Sequence, residues 1–296
     1  MVFVGLDCGG SSTRVLAVDE KGTAVFRGQS GPANLLSTPK SAILQSLRAA
    51  TNNCPPPASV CGCFAGLVSD ASRKQAQSYL KSVFPGAKKI RTEPDFVAAL
   101  AACGPTTDVC VIAGTGSIVC SWQDLVAVKS GGRGPLLGDP GSAAQIGRRF
   151  LSAYLDDPSA ASAKMKRYLN EIFESSEERE VIVNLYGSPS PPAALAKLGK
   201  AVAAESLAGS LAAGEIVRTE MAALSRLLQK HVRSFGGART SYRVGLAGGL
   251  WKCSPIYKEA FHRALETETP EMTFDLFILR RPPVEGAVSL AKEAIS

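Results

Sequence analysis

Short apolar runs that end in clusters of glycine, serine and threonine punctuate this chain, and the first of them sets the pattern. Residues 2–6, VFVGL, are short and apolar enough for a buried strand. Asp7-Cys8-Gly9-Gly10-Ser11-Ser12-Thr13 follows, small and hydrogen-bonding throughout, and residues 15–18 are apolar again. The pattern predicts strand, glycine turn, strand. After a turn at residues 19–22, residues 23–27 read as a third strand. Residues 37–50 read as a helix with Pro39 in its first turn, residues 60–65 as a strand ending at Gly66, and residues 71–83 as a helix. Residues 88–92 read as a strand that runs through Pro94 into a helix holding Asp95 in its first turn.

Residues 104–107 read as a boundary, because the opening pattern then returns. Residues 108–113 are an apolar strand, Gly114-Thr115-Gly116-Ser117 a small-residue turn, and residues 118–122 and 125–129 two further strands. Strand, turn, strand, turn, strand thus occurs twice, an internal structural repeat with little sequence identity. A long glycine-dense loop, residues 131–142, leads into a helix at residues 143–154. Residues 156–210 are helical and alanine-rich, broken near residues 187–192. Residues 212–233 carry Val217, Met221, Leu224 and Leu228 at helical spacing, a core-packing stripe. A strand at residues 243–247 ends in Gly248-Gly249 before a helix from Leu250; a strand at residues 274–279, a Pro282-Pro283 break and a helix at residues 284–295 close the chain.

Composition narrows the class. The 296 residues suffice for two domains, and 45% hydrophobic content supports a packed core. The net charge of +7, from 33 basic and 26 acidic residues, carries its basic pairs scattered, which suits a solvated surface that attracts anionic substrates. No helix-turn-helix or zinc-finger pattern supports nucleic-acid binding. Several of the 8 cysteines lie inside apolar runs, where a thiol acts as a small hydrophobe, so a reducing compartment is expected. Cys61-Gly62-Cys63 offers two metal ligands with no second Cys/His pair nearby. A strand directly at the N-terminus, without a basic flank, predicts no signal peptide, and no run reaches the ~20 apolar residues of a membrane span.

Candidate chemistry gathers at the glycine turns. Successive N–H groups in such a turn form an anion-binding concavity, and Ser11 and Thr13 add hydroxyl donors. Asp7 would repel a bare phosphate, but it suits a hydrated Mg²⁺ between the two. The stretch therefore reads either as a site for magnesium and nucleotide phosphates or as a tight hairpin capped by its aspartate. The repeat of the glycine turn favours the first: two such turns facing across a cleft would grip a polyphosphate. Asp95, favoured in its ionised form by the helix dipole, suits a base toward a substrate hydroxyl, or a plain dipole partner. GxxxxGK[ST] is absent, which excludes a P-loop kinase.

These glycine sites, in this order, resemble the BadF/BadG/BcrA/BcrD ATPase and N-acetylglucosamine kinase family, of the actin, hexokinase and Hsp70-like ATPases. GGRGPLLGDPGSAAQIG at residues 131–147 is its most specific piece, beside the family's GGWGxxLGDEGSGxxIG. DCGGSSTR at 7–14, GPAN at 31–34, AGTGS at 113–117, LAGGLW at 246–251 and PPVEGA at 282–287 support it, so that it covers essentially the whole chain.

The resemblance implies an α/β, two-lobed actin-like ATPase (ribonuclease H-like) fold, with a duplicated β-sheet core and a cleft between lobes. Residues 1–105 would form the N-terminal lobe, residues 106–283 the C-terminal lobe with a helical insert, and residues 284–296 would pack back on the first. It implies an ATP-dependent kinase of an amino sugar, N-acetylglucosamine or glucosamine, using Mg²⁺. Asp7 would be linked to magnesium. Gly9, Gly10, Ser11 and Thr13 would hold phosphate with Gly114, Thr115 and Gly116, and Gly248 and Gly249 would hold adenosine. Asp95 would be the base, and Asn34, Gly132, Asp139 and Ala143 would contact sugar. Arg133 and Pro140 stand where the family has Trp and Glu, and Pro94-Asp95-Phe96 where it has Asn-Asp-Ala. A homodimer in the cytoplasm is expected, without nucleic-acid or membrane partners. The alternative is an ATPase that activates a dehydratase or reductase.

Overall fold

A computed structural model describes residues 1–158, 162–235 and 239–295. Residues 159–161 of the expected helical segment, and residue 296 of the terminal one, lie outside the described residues. The chain divides into two units: Met1–Thr106 with Leu279–Ser296, and Thr107–Ile278.

The first unit is built on β1 (Phe3–Cys8), β2 (Thr13–Val18), β3 (Ala24–Ser30), β4 (Ser59–Phe64) and β5 (Lys89–Pro94), in the order β3-β2-β1-β4-β5. Antiparallel pairing joins the first three strands, and β4 and β5 add in parallel. Each parallel step needs a crossover. Helix α1 (Lys40–Ala50) precedes β4, and α2 (Asp70–Val83) leads to β5. Ser69 starts α2 as a capping box with Ser72, where serine is strongly preferred. Helix α3 (Asp95–Cys103) follows β5 directly. The core of this unit includes Val4, Leu6, Ile43, Leu47, Val60, Phe64 and Leu80.

The second unit repeats the plan. Strands β6 (Val109–Ala113), β7 (Ser117–Gln123) and β8 (Val126–Gly131) form the meander. Strands β9 (Ser241–Ala247) and β10 (Thr273–Ile278) add in parallel, giving β10-β9-β6-β7-β8. Between β8 and β9 run α4 (Ala143–Asp156), α5 (Ala163–Phe173), α6 (Glu178–Gly187), α7 (Pro191–Lys197), α8 (Gly199–Leu207) and α9 (Leu211–Phe235). Val217, Met221, Leu224 and Leu228 of α9 are all buried, as their spacing predicts, in one core with Ile146, Leu169 and Val244. The helix expected from Leu250 is two helices, α10 (Gly249–Cys253) and α11 (Pro255–Glu268). The Ser254 side chain caps α11, with Pro255 in its first turn. Trp251 of α10 donates its indole N–H to the Val111 carbonyl at 3.2 Å, so α10 is pinned to β6.

Helix α12 (Pro283–Glu293) packs in the first unit, against β1 and α3. The approach is close because Gly286 has no side chain: a Cβ there would overlap the Ala98 carbonyl oxygen and come within 2.6 Å of the Ala102 nitrogen. Backbone atoms of α3 cannot give way as a flexible side chain would. Gly286→Ala is therefore expected to lose about 1–3 kcal/mol, the usual size of an overpacking penalty. Urea denaturation checks this, and an unchanged midpoint would mean that the two helices part freely.

Candidate active site

In the first unit the site grows from the carboxyl ends of the parallel strands, where α/β sheets hold their ligands. Cys8 pairs with Phe64 and Phe64 with Pro94, so β1, β4 and β5 end level with one another. That register brings Asp7, one residue before the end of β1, near Asp95, the first residue of α3. Asp95 is exposed, and its Oδ1 accepts the Phe96 N–H at 3.0 Å. Asp7 is half-buried. Burial, then the nearby charge of Asp95, pushes its pKa from 3.8 up to about 6, with Arg14 pulling the other way. A second carboxylate nearby disfavours the ionised form of Asp7.

The glycine turn closes with the Gly9 N–H on the Ser12 carbonyl at 2.9 Å. It comprises residues 9–12, and Thr13 follows it. That residue belongs to β2, opposite Cys8, and is buried completely. Its place in the strand turns its hydroxyl inward, whereas Ser11 is exposed and Ser12 half-buried. Ser12 had no role in the sequence reading, although it stands in the same serine pair. Asn34 joins this end of the sheet: its Oδ1 accepts the Leu36 N–H at 2.8 Å, and the side chain lies beside Gly10 and Gly66. The neighbouring Ala33 N–H donates to the Gly9 carbonyl at 3.0 Å, tying the GPAN loop to the glycine turn.

In the second unit three glycine segments converge at the corresponding strand ends. The turn after β6 holds Gly114, Thr115 and Gly116, with the Gly114 N–H on the Gly116 carbonyl at 2.9 Å. Gly248, at φ 107°, sits so close to Ala113 that any Cβ would overlap its carbonyl. Only glycine combines that dihedral with that approach. Gly249 lies beside Gly114. The 131–142 loop is fastened to the same turn. Ala143, first in α4, donates its N–H to the Gly114 carbonyl at 2.8 Å, and Ser117 Oγ donates to the Pro140 carbonyl at 2.7 Å.

Asp139 lies in this loop, buried, at φ 62°. Its carboxylate rests against Gly116, where a Cβ would come within 2.6 Å of Oδ2. Burial raises its pKa, while backbone N–H groups of Gly134, Arg133 and Ser117 pull it down. Gly132 N–H donates to the Ser117 carbonyl at 3.1 Å, and Arg133 is exposed.

The Cys61–Cys63 pair and His231 are structural. Cys61 and Cys63 are both buried, with sulfurs 4.0 Å apart. His231 lies between Ser121 Oγ and Ser130 Oγ, each 2.9 Å from a ring nitrogen, and burial lowers its pKa to about 4. It is a neutral post between α9, β7 and β8. Among the described residues, no three His, Cys, Asp or Glu side chains gather into a metal cage. A magnesium ion suits this arrangement, since it keeps its waters and takes one or two carboxylates together with substrate phosphates. Among the described residues, no helix is long and apolar enough to cross a membrane.

The structure resembles a candidate N-acetylglucosamine kinase from Porphyromonas gingivalis, with a TM-score of 0.78, 20% identity and coverage of 99% of this chain and 100% of that one. A second candidate N-acetylglucosamine kinase, from Chromobacterium violaceum, gives 0.72 at 22% identity, covering 98% of each chain. A ROK family glucokinase from Streptomyces griseus, solved with glucose and AMPPNP, gives 0.63 at 14% identity over 100% of this chain and 99% of the other. These likenesses establish the expected fold class, an actin-like α/β fold with a duplicated sheet core. In sequence, the N-acetyl-D-glucosamine kinase of Dictyostelium discoideum is 27% identical over 201 residues, 61% of this chain; the match spans 63% of that protein's length. The sequence profile of the BadF/BadG/BcrA/BcrD ATPase family matches residues 4–291, and with that the chain belongs to this family.

Proposed function

We propose that this protein transfers the terminal phosphoryl group of ATP to a hydroxyl of an amino sugar, N-acetylglucosamine or glucosamine. The observation that carries the reading is the Asp7–Asp95 pair at the strand ends, beside the Gly9–Ser12 turn. Phosphoryl transfer needs mostly positioning and charge neutralisation. The turn's N–H groups and the Ser11 and Ser12 hydroxyls supply donors for phosphate oxygens. Asp7 would hold Mg²⁺, which would supply charge neutralisation for the transferring phosphate. Asp95 orients the sugar hydroxyl and takes its proton. Asn34, Asp139, Gly132 and Ala143 bind sugar, and Gly114, Thr115, Gly116, Gly248 and Gly249 bind the nucleotide. The reading includes a homodimer in the cytoplasm; the buried thiols of Cys8, Cys61, Cys63 and Cys120 suit a reducing compartment.

The dehydratase-activator alternative needs cysteines that reach an interface to hold an iron–sulfur cluster. Five of the eight here, Cys8, Cys61, Cys63, Cys110 and Cys120, are buried in the sheets, which favours the kinase reading.

A coupled ADP-release assay over a panel of amino sugars tests the proposal. Sugar-dependent, magnesium-dependent release is expected, and ATP hydrolysis indifferent to every sugar would overturn it. In the same assay Asp139→Asn, which tolerates the positive φ, is expected to raise the sugar KM by about 10- to 100-fold. That corresponds to losing a hydrogen bond to a charged acceptor, about 1.5–3 kcal/mol. The ATP KM should stay within about twofold; equal changes in both would remove Asp139 from the sugar site.

A further inference from the structure

The 131–142 loop ends in a tight turn in which three backbone groups at and beside Asp139 are held. The Asp139 carbonyl accepts the Ser142 N–H at 3.2 Å, and the Pro140 carbonyl accepts Ser117 Oγ. The N–H of Gly141 donates to Oε2 of Glu220 at 2.8 Å. Glu220 comes from α9, far along the chain, and only 5% of its side chain is exposed. Its other oxygen, Oε1, pairs with Arg149 of α4, which is itself half-exposed. A buried carboxylate costs several kcal/mol unless charge and hydrogen bonds repay it. Glu220 stands among the buried residues of α9, with Val217, Met221 and Leu224. The carboxylate spends both oxygens on the turn and on the helix the turn leads into.

We infer that Glu220 is the positioning residue for Asp139, fixing its carboxylate for the sugar through the Gly141 peptide and locked in place by Arg149. The inference rests on the proposed role of Asp139 as sugar acceptor. Loss of the Glu220 anchor would free the Gly141 corner of the Asp139–Ser142 turn, and with it loosen the seat of the Asp139 carboxylate against Gly116. A shift of about 1 Å in a positioned group is enough to cost about 100-fold.

Sugar affinity measured by calorimetry without nucleotide, beside steady-state KM for sugar and ATP, tests this in Glu220→Ala, Glu220→Gln, Arg149→Ala and Asp139→Asn. Glu220→Ala is expected to weaken sugar binding by about 10- to 100-fold with the ATP KM unchanged. Glu220→Gln keeps an acceptor for Gly141 and should recover most of that loss. Arg149→Ala, at a half-exposed position that leaves the fold intact, should weaken sugar binding by a few-fold. Adding Glu220→Ala to Asp139→Asn should cost little more than either change alone. The inference falls if Asp139→Asn weakens sugar binding while Glu220→Ala and Arg149→Ala leave it intact, or if Glu220→Ala disturbs both substrates equally. If Asp139→Asn itself leaves sugar binding intact, the reading of Asp139 fails first, and the inference falls with it.

Discussion

Asp95→Asn is expected to lower kcat by about 10²–10⁴-fold, the usual contribution of a general base. Asparagine keeps the size of the side chain and an oxygen to accept the Phe96 N–H, so α3 should start as before. It cannot take a proton. The KM for ATP should hold, because the glycine turns are untouched, and the sugar KM should change little. Asp95 is exposed at the helix start, whereas Asp7 nearby is half-buried and titrates at about 6. Different surroundings give two neighbouring carboxylates different tasks. A second readout follows from their proximity. Asp95 is the second cause of the raised Asp7 pKa, so removing its charge should shift the acid limb of magnesium binding to lower pH. A variant that phosphorylates its best sugar near the wild-type rate would leave Asp95 a partner of the helix dipole.

The repeated strand–turn–strand plan was legible because both copies write it locally, as apolar runs cut by glycine clusters. Asp7 and Asp95 were each legible too, one after a strand and one at a helix start. Their mutual approach was not, since it depends on the level ends of β1, β4 and β5, a long-range register. For Thr13 the part not legible was likewise a pairing. By type it extends the Ser-Ser turn, but hairpin pairing with Cys8 draws it into β2 and buries it. The split between α10 and α11 carried a local signal, Ser254-Pro255, a cap followed by proline. Glu220 carried none. It precedes Met221 in a helix rich in charged residues and reads as a solvated position until folding brings Gly141 and Arg149 to it.

Asp7→Asn should do two opposite things: abolish magnesium-dependent turnover and stabilise the ligand-free protein. In the folded chain the Asp7 pKa lies above its ordinary 3.8, at about 6. A carboxyl shifted in that direction favours folding fully below pH ~3.8 and loses that contribution as pH rises through ~6. At pH 7 the ionised group therefore costs the fold roughly 3 kcal/mol, at 1.36 kcal/mol per pKa unit. Asparagine has no charge to desolvate and does not repel Asp95. The variant should unfold later than wild type in thermal or urea melts at pH 7, and the gap should narrow toward pH 5, where Asp7 is mostly protonated. Magnesium should close the gap from the other side, raising the melting temperature of wild type with nucleotide present and leaving the variant where it was. Stability given up at one residue, and recovered when a cation binds, is the pattern of a site kept for function. Turnover near wild type in Asp7→Asn would remove the magnesium role. A variant no more stable than wild type at pH 7 would show that Asp7 titrates near its ordinary value, with no strain stored in the pair.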